Sequence, residues 1–255
     1  MKTIFLSKGH GYDIPYVYNI TEQNKIVCVV VHGFGSSKKS PTAEMMLTEL
    51  PIMGIGAIAF DFPAHGESRA GGELLRIDNC LADMAAIEAQ AQALAPHAEV
   101  VYFASSFGAY MTLIYLAGLH DRRRAFLRSA AVSMPQVVKR LQTPEEKKLL
   151  EETGEILLSQ DHYSYTLKLT QGFFDDLENH DVFTLWREDM AELHMVHGET
   201  DQTIPLGDAR SFAERFHIPL TVIPHGDHRL SIPGAPEQVL HLAISFFLNT
   251  FMETS

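Results

Sequence analysis

Short apolar runs alternate along the chain with longer segments in which apolar residues recur every three or four positions. The runs are continuous and rich in β-branched residues, as is typical of strands buried on both faces of a parallel sheet. The longer segments have the repeat of helices that bury one face. This alternation predicts a doubly wound α/β fold. The predicted strands are 26–31, 56–60, 100–103, 125–132, 193–196 and 220–223, after a hairpin of 2–6 and 16–20 whose turn contains Gly9; the predicted helices are 41–50, 74–94, 110–117, 207–216 and 236–249.

The alternation breaks between about 134 and 190. A charged segment that opens at Pro144 predicts a short helix with proline in its first turn. The segments 156–158 and 163–169 predict a small hairpin, and 171–179 predicts another helix. The segment is long for an ordinary crossover, so we expect a cap inserted over the sheet of a single domain, 1–255.

For two further segments, the sequence predicts which side chains are exposed and which are buried. Three arginines, 122–124, follow Asp121 and precede strand 125–132, and we interpret them as a solvated turn rather than a phosphate site. The apolar face of helix 74–94, which we expect to be buried, contains Leu74, Ile77, Leu81, Met84, Ile87 and Leu94.

Composition narrows the class of protein. The chain has 255 residues, 46% of them hydrophobic, which is enough for one sizeable core. A net charge of −12 without a long basic run argues against binding to nucleic acid or to an anionic membrane. No run reaches the ~18 apolar residues of a membrane helix, and Cys28 and Cys80 form no C-x-x-C pair. We therefore expect a cytoplasmic protein.

A serine-containing turn lies between strand 100–103 and the helix that follows it. Ser106 has small residues two positions before and after it, Ala104 and Gly108. A nucleophile elbow requires small residues there, because the strand and the helix approach each other closely. Ser105 would have phenylalanine at both positions. Ser106 is therefore the candidate nucleophile.

A serine hydroxyl needs a base within hydrogen-bond reach, and the base needs an acid to orient it. The loops after the last two predicted strands supply Asp201 and His228. The order serine, aspartate, histidine is the one expected with a nucleophile elbow. Glu199, which closely follows its strand, and Asp208, which falls in a predicted helix, are alternatives to Asp201. His225, which adjoins the end of its strand, is the alternative to His228.

Other polar residues near these loops are interpreted as structural. They are Asp61, Asp227, His194 and His197, and the histidines form no H-E-x-x-H or other ligand cluster, so we expect no metal. The loop 32–37 lacks the third glycine of a dinucleotide site and the G-K-[ST] of a P-loop. We interpret it as a loop whose backbone N–H groups face a developing negative charge.

Five ordered motifs, HGFGSS, DFPAHGES, ASSFGA, HGETDQTIP and HGDHRL, resemble those of the α/β-hydrolase family from about residue 25 onward. The second half is similar to bacterial cinnamoyl (feruloyl) esterases in its cap insertion, in its Asp181-Val182 segment before the seventh strand, and in the D-H-R-L-S ending at Ser231. Ala104 stands in place of the first glycine of the elbow motif and Ala64 in place of a glycine of the second motif, but neither change removes a reacting group.

The resemblance implies an α/β-hydrolase fold with a Ser106–His228–Asp201 triad and an oxyanion hole formed by the backbone N–H groups of Phe34 and Phe107. It implies hydrolysis of a short-acyl or hydroxycinnamoyl ester through a serine acyl-enzyme, with no cofactor and a small-molecule ester as the partner. A peptidase, thioesterase or C–C hydrolase would use the same triad, and a non-catalytic small-molecule receptor is the alternative from another class. The sequence leaves the oligomeric state open, a homodimer included.

Aromatic residues of the insertion lead to an expectation about the substrate. If the insertion covers Ser106, some of them would enclose the acyl group in a partly aromatic pocket suited to a flat aryl acid, while others pack the cap onto the sheet. The residues concerned are Phe173, Phe174, Phe183, Tyr163, Tyr165 and Trp186.

Overall fold

The computed structural model describes residues 1–7, 11–119, 122–158 and 166–249. Gly9, Asp121, Tyr163 and Tyr165, on which predictions were made, lie outside these residues. The strands are β1 Ile4–Ser7, β2 Asp13–Asn19, β3 Ile26–Val31, β4 Ile55–Phe60, β5 Glu99–Ser105, β6 Arg124–Arg128, β7 Glu155–Leu158, β8 Leu167–Thr170, β9 Glu192–Gly198 and β10 Leu220–Ile223. The helices are α1 Pro41–Ile52, α2 Ile77–Leu94, α3 Phe107–Leu119, α4 Met134–Leu141, α5 Pro144–Thr153, α6 Gln171–Asn179, α7 Val182–Leu185, α8 Leu206–Arg215 and α9 Ala235–Phe247.

Eight strands form one sheet in the order β1-β2-β4-β3-β5-β6-β9-β10. Strand β2 is antiparallel to both of its neighbours, and the pairings from β4 to β10 are parallel. The predicted, mostly parallel α/β architecture is therefore confirmed. The ends of β4, β3, β5, β6, β9 and β10 lie at the same edge because these strands are parallel, and we call it the carboxyl edge of the sheet.

Alternate residues of the central strands enter two different cores. In β3, Val29 and Val31 belong to the core shared with α2, α3 and α8, whereas Cys28 and Val30 belong to the core shared with α1 and α9. Both faces of this strand are buried, which explains its continuous β-branched sequence. Each fully buried valine contributes about 1.5–3 kcal/mol of transfer free energy.

Helix α2 differs from its prediction. It begins at Ile77 rather than at residue 74, because Gly72–Leu74 forms a separate 3-10 helix. Leu81 and Leu94 are only partly buried. The buried side chains are Ile77, Cys80, Asp83, Met84, Ile87 and Ala91, a stripe that keeps helical spacing but includes one acid. Asp83 is buried because its carboxylate accepts a hydrogen bond from the hydroxyl of Tyr12.

The arginines before β6 also correct a prediction. Arg124 is buried rather than solvated, with 6% of its surface exposed. Its guanidinium donates two hydrogen bonds to Glu99, of 2.8 and 2.7 Å, and others to the Phe246 carbonyl and to Asn249. The cause is tertiary, because β6 lies inside the sheet and its first residue contacts the end of α9. Strand β6 also ends at Arg128 rather than at residue 132, because Ser129 leaves the extended region with φ +47°.

The insertion, residues 134–190, contains α4 to α7 and the antiparallel hairpin of β7 and β8. Helix α6 has its predicted bounds, whereas α4 and α7 were not predicted. Arg76, just before α2, forms a bidentate ion pair with Asp176 of α6, with distances of 2.6 and 2.7 Å. The Tyr110 hydroxyl of α3 donates to the His180 carbonyl at 2.7 Å. These contacts hold the insertion against the sheet, and its description as a cap on a single domain stays a prediction.

Candidate active site

Ser106 occupies the turn between β5 and α3. Its φ of +53° lies in the left-handed region, which costs an L-residue roughly 1–2 kcal/mol. The turn is held by a 2.9 Å hydrogen bond from the Ser106 N–H to the Arg128 carbonyl. A side chain at Gly108 would overlap the backbone of Val31 and His32, and Ala104 is fully buried with its methyl group accommodated. The strained turn expected of an elbow is therefore present with alanine at the first small position.

The three residues of the predicted triad lie together at the carboxyl edge. The Ser106 Oγ is 3.1 Å from Nε2 of His228, and Nδ1 of His228 is 2.7 Å from Oδ2 of Asp201. An ionised carboxylate can only accept, so Nδ1 donates to Asp201 and Nε2 of a neutral ring accepts from the serine hydroxyl. This is the hydrogen-bond arrangement required for the ring to take the serine proton.

Asp201 is held in a buried, fully bonded position. Its Oδ1 accepts the backbone N–H groups of Thr203 and Ile204, each at 2.8 Å, while Oδ2 accepts from His228. Burial raises the pKa of the carboxyl, but hydrogen bonds from His197 and His228 outweigh it and hold that pKa below its usual range. Asp201 is therefore ionised at neutral pH and can stabilise a histidinium.

His197, interpreted from the sequence as a packing or turn residue, touches the triad. It is fully buried, and its Nε2 is 3.0 Å from the Ile204 carbonyl and 3.2 Å from Oδ2 of Asp201. Since both partners are acceptors, this nitrogen carries a proton shared between them. The spacing of four residues between His197 and Asp201 is the one sequence signal that could have suggested the contact.

The alternative acids and base are directed elsewhere. Glu199 accepts the backbone N–H of His225 at 2.8 Å, and Asp208 lies in α8, as predicted. The side chain of His225 is 88% exposed. Asp227 accepts both the backbone N–H and the hydroxyl of Ser231, at 2.8 and 2.7 Å. None of these four is hydrogen-bonded to Ser106 in the part of the chain that the structure describes.

The predicted oxyanion hole has its two residues beside the serine. Phe107 is the first residue of α3, where backbone N–H groups have no partner within the helix. A methyl group added at Gly33 would lie 3.2 Å from the Cβ of Ser106, so the loop that leads to Phe34 closely approaches Ser106. The rings of Phe34 and Phe107 are in contact, with centroids 5.7 Å apart. That their N–H groups bind an oxyanion stays a prediction.

An ion-pair network around the buried Lys38 stabilises the loop that contains Phe34. The Nζ of Lys38 is 2.5 Å from Asp61 and 2.6 Å from Glu67, and the Lys38 N–H donates to Asp61 at 2.7 Å. The hydrogen bond from Lys38 lowers the pKa of Glu67 to about 2. Asp61 thus joins two loops of the carboxyl edge, consistent with the structural role predicted for it.

A cavity of about 1200 Å³ opens onto Ser106 and His228. The insertion contributes six apolar residues to its lining: Met134, Val137, Val138, Leu158, Leu169 and Phe174. Charged and polar residues from loops of the carboxyl edge also line it, among them Lys39, Thr42, Arg128, Asp227, Arg229 and Ser231.

The aromatic residues of the insertion divide between the cavity lining and the packing of the insertion. Among the described aromatic residues of the insertion, Phe174 alone lines this cavity. Phe173 stacks on Phe34 at 5.9 Å, and Phe183 packs edge-on against Phe212 at 5.2 Å. Trp186 is buried, with 3% of its surface exposed. These rings pack the insertion onto the rest of the protein, and the cavity lining is partly aromatic, with Phe174 from the insertion and Phe34 from the loop after β3.

In residues 1–7, 11–119, 122–158 and 166–249, no group of three or more His, Cys, Asp or Glu side chains could hold a metal ion. Within the same residues, no helix has the length and apolar character needed to cross a bilayer.

Residues 28–242 match the family model described as the alpha/beta hydrolase family. The chain belongs to this family. None of the curated proteins matches the sequence.

Solved structures share the fold at low identity. A protein from Agrobacterium vitis S4 is 21% identical, with a TM-score of 0.83 over 96% of this chain and 98% of that one. Est1E from Butyrivibrio proteoclasticus, solved with bound ferulic acid, is 16% identical, with a TM-score of 0.78 over 96% and 99%. A soluble variant of monoglyceride lipase from Saccharomyces cerevisiae, in complex with a substrate analogue, is 13% identical, with a TM-score of 0.77 over 96% and 94%. The predicted α/β-hydrolase fold is thus confirmed.

Proposed function

We propose that this protein hydrolyses carboxylic esters through an acyl-enzyme formed on Ser106. The observation that carries the proposal is the continuous hydrogen-bond chain from Ser106 through His228 to the buried carboxylate of Asp201. A serine in a strained elbow, a neutral ring that accepts its proton and an ionised acid behind the ring are the parts that acyl transfer needs.

The chemistry follows from these positions. The Ser106 Oγ attacks the ester carbonyl carbon while His228 Nε2 takes the hydroxyl proton, and the carbonyl oxygen becomes an oxyanion that the N–H groups of Phe34 and Phe107 bind. The carbon–oxygen bond to the alcohol then breaks, and His228 returns the proton to the leaving oxygen. Water, deprotonated by His228, attacks the acyl-enzyme and releases the acid and Ser106. Asp201 keeps the ring oriented and balances its positive charge.

We assign a hydroxycinnamoyl or short-acyl group to the part of the cavity that the insertion lines. Gln142, just after α4, has a buried Nε2 with no hydrogen-bond partner among the described residues, and it lines the cavity. A buried amide donor left without an acceptor costs roughly 1–3 kcal/mol. A phenolic or methoxy oxygen on the acyl group would satisfy this donor, whereas a plain alkyl chain would not. The likeness to Est1E, which was solved with ferulic acid, agrees with this assignment.

Turnover of three substrates tests the proposal: methyl ferulate, p-nitrophenyl butyrate and p-nitrophenyl palmitate. We expect kcat/KM for the palmitate ester to be the lowest, and Ser106→Ala to reduce turnover of the other two by ~10⁴-fold or more. Ser105→Ala is the matched control and should retain most activity. Unchanged turnover in Ser106→Ala would refute the serine mechanism, and a preference for palmitate would refute the assigned acyl group.

A further inference from the structure

Arg128 lies beside the nucleophile but has no part in the mechanism described above. It is the last residue of β6 and pairs in register with Ser105 of β5. Its carbonyl accepts the N–H of Ser106 at 2.9 Å. Its partly buried side chain lines the cavity that contains Ser106 and His228. A permanent cation therefore faces the space where the substrate would bind.

The guanidinium of Arg128 has few partners within the protein. An arginine has five N–H donors, and the one hydrogen bond that the described residues provide runs from Nη2 to the carbonyl of Arg229. Arg128 forms no ion pair with a carboxylate in the described part of the chain. Because the side chain is only partly buried and lines the cavity, its other N–H donors are available to a group bound there.

Arg124, at the other end of β6, is an arginine whose guanidinium has several hydrogen-bond acceptors within the protein. Its guanidinium bonds both carboxylate oxygens of Glu99, the Phe246 carbonyl and the Asn249 amide oxygen. Among the described residues, the Arg128 side chain has the Arg229 carbonyl as its one acceptor. The two arginines share a strand and differ in that Arg128 lines the cavity, where its remaining N–H donors can bind an acceptor on a substrate.

Charge in this part of the cavity limits what the ligand can be. Burial lowers the pKa of Arg128 to about 10, against the opposing effect of Asp227 and Asp201, so the group is a cation at neutral pH. The same two carboxylates would repel a dianion such as a phosphate monoester. The planar guanidinium matches the two oxygens of a carboxylate, and a singly charged carboxylate suits this balance best.

The contact with Arg229 assigns the ligand to one end of the substrate. Arg229 follows His228, the residue that would protonate the leaving oxygen, and the acyl group is proposed to lie against the apolar residues that the insertion contributes to the cavity. We propose that Arg128 binds a carboxylate on the leaving alcohol, so that the preferred substrates are esters of carboxylate-bearing alcohols or phenols. This inference rests on the proposed esterase function and extends it.

The test uses two acetate esters that differ in one charge, 4-acetoxybenzoate and 4-acetoxybenzamide. We expect the wild-type kcat/KM to be at least ~10-fold higher for the carboxylate, since a charge-assisted hydrogen bond typically contributes that much or more. Arg128→Gln should lower kcat/KM for the carboxylate ester by about 10- to 100-fold and for the amide by less than about 3-fold. Arg210→Gln, which removes an exposed arginine of α8, is the matched control and should change neither. If Arg128→Gln does not fold, Arg128→Lys keeps the charge and loses the bidentate geometry.

Binding to Ser106→Ala, measured by calorimetry, separates this inference from the esterase proposal. Binding of 4-acetoxybenzoate in preference to the amide, lost when Arg128→Gln is added to Ser106→Ala, supports the carboxylate site. It does so even if the wild-type protein hydrolyses neither ester. That lack of turnover would refute the esterase proposal. Equal binding of the carboxylate and the amide, or equal losses of turnover for both in Arg128→Gln, would overturn the carboxylate site and leave the esterase standing.

Discussion

The carboxyl edge of the sheet and the insertion are built from different kinds of contact. At the edge, Asp201 is fully hydrogen-bonded, and Lys38 is buried in an ion-pair network between loops. The insertion is attached mainly by apolar packing, such as Phe173 on Phe34, with a few polar ties such as the ion pair of Asp176 with Arg76. Directional contacts fix atoms to a fraction of an ångström, whereas apolar packing tolerates changes in shape. We infer that the edge determines whether the reaction occurs and that the insertion determines which acyl group is accepted.

The largest effect should come from an isosteric change at the edge. Asp201→Asn removes the charge that stabilises the histidinium and can favour the wrong tautomer of His228, so we expect kcat to fall by about 10⁴-fold. The measurement is kcat for p-nitrophenyl butyrate at saturating substrate. Glu199→Gln, which changes the alternative acid, should leave kcat within about 3-fold of the wild type. Similar losses in both variants would contradict the assignment of Asp201.

A change in the insertion should alter selectivity instead of chemistry. Gln142→Leu removes the unpartnered amide with little change in volume, so we expect KM for methyl ferulate to rise by about 10-fold. For p-nitrophenyl butyrate, which has no polar acyl group, kcat and KM should stay within about 2-fold. Gln136→Leu, at an exposed position of α4, is the control. Equal effects on both substrates would show that Gln142 supports the structure and not the acyl group.

Histidines of the sheet and its loops, rather than of the insertion, should dominate the loss of stability in acid. Burial lowers the pKa of His65 to about 3 and that of His194 to about 4, whereas an unfolded histidine titrates near ~6.5. Between these values the unfolded chain binds protons that the folded protein does not, so stability is complete above pH ~6.5 and falls as the pH drops toward ~4. Tm measured at several pH values should fall over this range, and less steeply in His194→Gln. His225→Gln, at an exposed position, should have the wild-type slope, and equal slopes in all three proteins would contradict the account.

The smallest effect concerns backbone strain, which can be compared directly in the two regions. Ala64, at the edge, has φ +62°, and Gly154, which ends α5 in the insertion, has φ +74°. Ala64→Gly should raise the free energy of unfolding by about 1 kcal/mol, and Gly154→Ala, where a methyl group meets no other atom, should lower it by a similar amount. Denaturant titration measures both. A destabilising Ala64→Gly would mean that the methyl group has packing that outweighs the strain.

The sequence predicts well those features that depend on local pattern. Strand β10 and helix α6 have their predicted bounds, and Ser106, Asp201 and His228 come together as their order along the chain indicates. Glycine spacing and continuous β-branched runs leave few local alternatives.

Features that depend on packing between distant elements are not predicted. Arg124 is buried because α9 covers the start of β6, and His197 meets Asp201 only when the loop after β9 folds back. Likewise, aromatic content alone does not distinguish Phe174, which lines the cavity, from Phe173, whose ring packs against Phe107.

We propose above all that Ser106 is a nucleophile activated by His228. The most direct test of this proposal is to treat the folded protein with a fluorophosphonate and to locate the modified residue by peptide mass spectrometry. We expect one phosphonylated serine, Ser106, with no labelling of Ser106→Ala and much slower labelling of His228→Gln. A label on Ser105, or no label on the folded wild-type protein, would contradict it, and the latter result would favour a receptor on the same fold.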